Sequence, residues 1–148
     1  MIVGHLTWQG ITQPNVRNSG ITGTLSLCLG GVPQSYSTST DTSGFFTVTT
    51  GLPDGAYNWS FKGQINISNA GTLLIASGLA NQEMGLMRAG DCNNSNVVNA
   101  TDFNILRATF GTGNDLRADF NRDAVVNSVD FNLLRGNFGQ GGSTLICP

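Results

Sequence analysis

Two stretches of the chain carry oxygen-bearing side chains in the same order, 28 residues apart, beginning at Asp91 and Asp119. At positions 1, 3, 5, 9 and 12 the first has Asp91, Asn93, Ser95, Asn99 and Asp102, and the second has Asp119, Asn121, Asp123, Asn127 and Asp130. Position 7, which serves through its backbone carbonyl, is Val97 in one and Val125 in the other. Calcium takes six to eight oxygens at about 2.3–2.6 Å, and this is the spacing by which a 12-residue loop wraps it. Asp91, Asp102, Asp119, Asp123 and Asp130 would repel one another in two short loops with no lysine near them in sequence. Two calcium ions are expected, one per loop.

The loops depart from the common EF-hand in two ways. Position 12 is Asp rather than Glu, which shortens that ligand by one methylene. Position 6, normally Gly for its positive φ, is Asn96 and Ala124. Asn tolerates the left-handed region, whereas Ala resists it by about 1–2 kcal/mol, so loop two is expected to be strained or to turn differently. Position 8 is Val98 and Val126, which predicts a back-to-back apolar contact between the loops. A helical stripe follows each loop: Phe103, Leu106 and Phe110, then Phe131, Leu134 and Phe138, and the two stripes are expected to face each other. Asn99 and Ser128 are placed to cap the helix starts, and Gly111 and Gly139 to end the helices.

With these residues in place, 90–142 resembles a type I dockerin, a duplicated loop-helix calcium motif of the form D-x-N-x-D-x-x-V-N-x-x-D. The resemblance implies a module that plugs into a cohesin. In that family small hydroxyl residues at loop positions 10 and 11 usually make the contact. Here those positions hold Ala100-Thr101 and Ser128-Val129, a diluted version. The resemblance also implies that the ends of the module lie close together, which makes Cys92–Cys147 a candidate disulfide.

The remaining residues differ in composition. Before Gly90 the charges are sparse, with Asp41, Asp54 and Glu83 against Arg17, Lys62 and Arg88; after it six Asp face four Arg. Two domains are expected, 1–88 and 89–148, with almost no linker. In the first, Leu25, Leu27 and Leu29 alternate with polar neighbours, as do Phe46 and Val48, and Tyr57, Trp59 and Phe61. Gly30-Gly31, Thr42-Ser43-Gly44 and Pro53-Asp54-Gly55 punctuate these runs. Six or seven short strands at this spacing argue a β-sandwich. The expected fold is therefore an all-β sandwich followed by a small α-helical, dockerin-like domain with two EF-hand-type calcium loops. The phrases from Thr40 to Phe46 and from Leu52 to Tyr57 resemble the carboxypeptidase regulatory-like (prealbumin-like) sandwich family, which is mostly non-catalytic.

Cys28 lies on the strand face opposite the Leu row and stays unassigned: a free thiol, or the partner of another cysteine. The odd cysteine count and the calcium loops favour an extracellular or cell-surface setting. Residues 1–5 lack the basic start and apolar run of an export leader, so an exported form would be processed or a piece of a longer protein. No run is long enough to span a membrane. Seven scattered basic residues against nine acidic ones argue against nucleic acid.

An enzyme is not expected. The single histidine, His5, and the single glutamate, Glu83, stand in unrelated contexts, and no Ser or Cys has a visible base. The favoured reading is a calcium-stabilised structural or adhesive protein that self-associates into a surface assembly or filament, with the segment from Ile2 to Trp8 or Cys28 contributing. The alternative is an anchoring module that docks a cohesin-like surface protein. A third reading, glycan binding, would use Trp8 or Trp59.

Overall fold

The computed structural model describes residues Met1–Pro148. Seven strands come first: β1 (Ile2–Trp8), β2 (Thr22–Leu29), β3 (Val32–Ser39), β4 (Phe45–Val48), β5 (Gly55–Gly63), β6 (Asn69–Ile75) and β7 (Ala80–Met87). Two helices follow, α1 (Ala100–Thr109) and α2 (Ser128–Asn137). The strands form a three-stranded sheet in the order β4-β1-β7 and a four-stranded sheet in the order β3-β2-β5-β6.

Period-2 alternation puts one face of each strand inward. Ile2, Leu6 and Trp8 of β1 and Met84 and Met87 of β7 meet Leu25 and Leu27 of β2 and Trp59 and Phe61 of β5 in one core. Each large side chain buried this fully contributes about 1.5–3 kcal/mol. Trp8 and Trp59 are only 1% and 4% exposed, so neither offers a platform for a glycan.

β1 is not a free end segment. It pairs antiparallel with β4 and parallel with β7, so its backbone is bonded on both sides and cannot template another strand. The sheet edges are β4, β7, β3 and β6. The register sets His5 of β1 opposite Glu83 of β7, which joins two residues that look unrelated in sequence.

A second core holds Val98, Leu106, Ala118, Phe120, Val126 and Leu134 together with Ile65 and Ile67, which lie between β5 and β6. Residues 143–148 then run back along the β2/β5/β6 sheet. Asn58 Nδ2 donates to the Ile146 carbonyl at 3.0 Å, and Cys147 forms a disulfide with Cys28, with 5.2 Å between Cα atoms. The expected Cys92–Cys147 clasp is not formed. Cys92 is 4% exposed and packed into the second core, where burial pushes its thiol up to about 12. Loop position 2 faces this core rather than solvent. No helix is long and apolar enough to cross a membrane.

Candidate metal centre

The two loops have the same backbone. Positions 4 and 6 take positive φ in both: Asn94 60° and Asn96 67° in loop one, Arg122 56° and Ala124 71° in loop two. Ala124 thus follows the same turn as Asn96 despite its Cβ. Each loop coils around its first carboxylate. Asp91 Oδ1 accepts from the Ser95 N–H and Oδ2 from the Asn96 N–H, both at 2.8 Å. Asp119 accepts from Asp123 and Ala124 in the same way, at 3.2 and 2.8 Å.

Position 12 closes each loop from the first turn of the next helix. Asp102 accepts from the Asn99 N–H at 2.8 Å and Asp130 from the Asn127 N–H at 3.0 Å. In return the Asn99 and Asn127 side chains each accept a backbone N–H, from Thr101 and Val129, at 3.0 Å. These are capping boxes, worth about 1 kcal/mol each. The second cap is Asn127 and not Ser128, which is already helical. The position-9 side chains are therefore engaged at the helix starts. Gly111 and Gly139 follow the helix ends at φ 80° and 84°.

Val98 and Val126 are both fully buried, but the loops do not pair with each other through them. Val98 exchanges backbone hydrogen bonds with Gly139 and Gln140 beyond α2, and Val126 with Gly111 and Thr112 beyond α1. Each loop is laced to the exit of the other loop's helix. Within the stripes, the Phe103 and Phe131 rings lie 6.0 Å apart, and Leu106 and Leu134 are buried in the same core. Phe110 and Phe138 are about half exposed because they are the C-cap residues, with ψ near 131°, and leave the helical face.

The donor set of loop two fits a hard cation. Asp119, Asp123 and Asp130 each bring a carboxylate oxygen within 4.8 Å of the others. Oxygens around one calcium at about 2.3–2.6 Å lie no more than about 5 Å apart. Burial, together with the neighbouring carboxylate charges, raises the pKa of Asp119 and of Asp130, as expected for acidic groups gathered where a cation belongs. Asn121 stands in the same loop, its Nδ2 donating to Asp123 Oδ2 at 3.2 Å.

Loop one is different. Its carboxylates are Asp91 and Asp102, with Asn93 and Ser95 between them, and Ser95 Oγ donates to the Val97 carbonyl at 3.2 Å. Asp91, fully buried, is also ion-paired to Lys62 of β5 at 2.8 Å. In sequence no lysine stands beside these carboxylates. The chain's one lysine is nevertheless there, because the turn after β5 brings 62–68 against loop one. Ser68 and Asn96 add a reciprocal pair: the Ser68 N–H donates to Asn96 Oδ1 at 2.8 Å, and Asn96 Nδ2 donates to Ser68 Oγ at 2.9 Å. Gly142 lies so close that any Cβ there would strike both partners.

This duplicated, mutually laced pair of acidic loops has a family. Residues 89–138 match the dockerin type I domain. The dockerin segment is about a third of the chain. Type I dockerin domains bind calcium, in keeping with the carboxylate cluster of loop two. The whole chain is similar in fold to chains of two interface mutants of a type II cohesin–X-dockerin complex from Acetivibrio cellulolyticus. One is a C-terminal interface mutant (TM-score 0.67) and the other an N-terminal one (TM-score 0.68). Each shares 18% identity and covers 95% of this chain and 96% of its own. The strand-rich residues ahead of the dockerin segment are thus part of the shared fold. No curated protein shows a significant sequence match.

A separate titratable pair joins β1 to β7. His5 Nδ1 bonds Glu83, and His5 Nε2 meets the Ser43 carbonyl at 2.9 Å and Gln13 Oε1 at 3.1 Å. Ser43 meets His5 through its backbone carbonyl.

Proposed function

We propose that the chain is a non-catalytic, extracellular docking module that binds a cohesin-like receptor, with one calcium ion in each loop. Asp91, Asn93, Ser95, Asp102 and the Val97 carbonyl would hold the first, and Asp119, Asn121, Asp123, Asp130 and the Val125 carbonyl the second, with Asn99 and Asn127 fixing the helix starts. Residues 1–88 are read as a β-sandwich of the carboxypeptidase regulatory-like kind and 89–148 as the docking unit. The dockerin match over 89–138 carries this reading. The fold likeness to chains of a cohesin–X-dockerin complex favours it over self-association, and so does the central place of β1, which removes the strand proposed for assembly.

The docking face is the exposed surface at the two helix starts. Ala100, Thr101, Ser128 and Val129 are all exposed, with Val129 at 47%. Calcium shapes this face by fixing the position-12 aspartates, which are also N3 of each helix. The test is binding of the intact chain to immobilised type I and type II cohesins, in calcium and in EDTA. Calcium-dependent binding that falls at least tenfold in the Thr101→Asp, Val129→Asp double variant is expected. Failure to bind any cohesin in calcium would reject the docking reading.

A further inference from the structure

The largest cleft in the molecule lies away from the docking face, at the seam between the strands and the dockerin segment. It has a volume of about 510 Å³ and is walled by Gln64 and Ile65 after β5, Asn94 of loop one, and Leu116, Arg117 and Arg122. Cys92 closes its floor.

Its chemistry is unbalanced. The Arg117 guanidinium is held by Asp115, with Nε 3.0 Å from Oδ1 and Nη2 2.7 Å from Oδ2, which leaves Nη1 free. Arg122 is partly buried, and its guanidinium makes no hydrogen bond or ion pair within the chain. Withdrawing a guanidinium from water without a partner is unfavourable. Arg122 occupies position 4 of loop two, and Asn94 is its counterpart in loop one. Both have left-handed φ, and both line this cleft. The duplication therefore places one polar side chain from each loop in the lining of the same cleft.

We propose that this cleft binds a small sugar acid through its carboxylate. The Arg122 fork matches a carboxylate bidentately, and Arg117 Nη1 adds a second charged donor. The carboxamides of Gln64 and Asn94 give and accept hydrogen bonds, as ring hydroxyls require. Ile65 and Leu116 supply apolar walls for ring C–H groups. A neutral sugar would leave Arg122 unpaired, so the carboxylate sets specificity.

Calorimetric titration of the intact, calcium-loaded chain with sodium glucuronate, glucose and sodium sulfate tests this. Saturable binding of glucuronate and none of glucose is expected, with sulfate weaker than glucuronate. Arg122→Gln should lose at least tenfold in affinity and Arg122→Lys an intermediate amount, while helical circular dichroism in saturating calcium stays unchanged in both. Absence of saturable glucuronate binding, equal binding of glucose, sulfate binding at least as tight as glucuronate, or full affinity in Arg122→Gln would overturn the proposal. Cohesin binding is measured separately, so either reading can fail without the other.

Discussion

Lys62 Nζ lies 2.8 Å from Asp91 Oδ2 and also donates to the carbonyls of Gly63 and Asn66, at 2.6 and 2.7 Å. A lysine of β5 thus ties the first carboxylate of loop one to the strand unit. Asp119, its equivalent in loop two, has no such partner; the nearest tie across is Arg17 Nη1 to the Asn121 carbonyl at 3.4 Å. The ammonium bonds Oδ2, which also accepts the Asn96 N–H. Oδ1 is left on the other side of the carboxylate. The same cation stabilises the buried carboxylate in the absence of metal and would oppose a calcium ion in loop one.

Lys62→Met separates these effects. Without calcium the variant should be less stable by about 2–3 kcal/mol, since Asp91 is left buried and unpaired. With calcium it should recover most of the loss, and loop one should bind calcium more tightly than in the parent. Thermal melts in EDTA and in calcium, with calorimetry, read both. An equal loss in the two buffers would show that Lys62 has no influence on the loop.

Loop two should fill first. It gathers three carboxylates without a competing ammonium, whereas loop one has two and shares one with Lys62. More ligand charge means tighter binding. Calorimetry should resolve two steps, or one broadened isotherm. Asp123→Ala should weaken uptake about tenfold or more and Ser95→Ala by less than about threefold, following the difference between losing a carboxylate and losing a hydroxyl. Equal effects would contradict this order.

Ala124 holds φ 71°, a conformation glycine adopts freely. Ala124→Gly should therefore raise the stability of the calcium-loaded chain by up to about 1 kcal/mol. Asn96→Gly should not. It removes both side-chain hydrogen bonds to Ser68 and is expected to destabilise despite the same backbone geometry. Chemical denaturation of the two variants side by side gives the answer.

His5 should give the stability a pH-dependent step. Burial alone would lower its pKa, but the hydrogen bond and charge of Glu83 outweigh that and hold it above the ordinary 6.5. A raised folded value means that the stabilisation is fully present below 6.5 and fades as pH rises through the folded value. His5→Gln should lower the melting temperature more in mildly acidic than in alkaline buffer. A pH-independent difference would assign the pair a packing role alone.

The two acidic loops, the two helices and the glycine stops were legible in the sequence because they are local: a twelve-residue coil and a 3.6-residue period record themselves in adjacent residues. The strand runs at Leu25 and Leu27 and at Trp59 and Phe61 were legible for the same reason. What escaped depends on topology. Nothing near Asp91 names Lys62 as its partner, and the one available signal was that the chain's only lysine sits at an outward position of β5. His5 and Glu83 meet through a parallel pairing of strands 78 residues apart. Cys147 reaches Cys28 because residues 143–148 leave the helices and return to the β sheet. Arg122 reads as an ordinary surface residue until the seam folds around it.

The Cys28–Cys147 bond turns the chain between those residues into a covalent ring that contains β3 to β7, both acidic loops and both helices. A single protease cut anywhere in that ring, at the exposed Gly113-Asn114 turn for example, opens it without releasing a fragment. Strand β1 lies outside the ring but is wedged at the centre of its sheet. A chain nicked once within the ring would keep its helices tethered to its strands, and reduction alone would leave its two pieces without a covalent link.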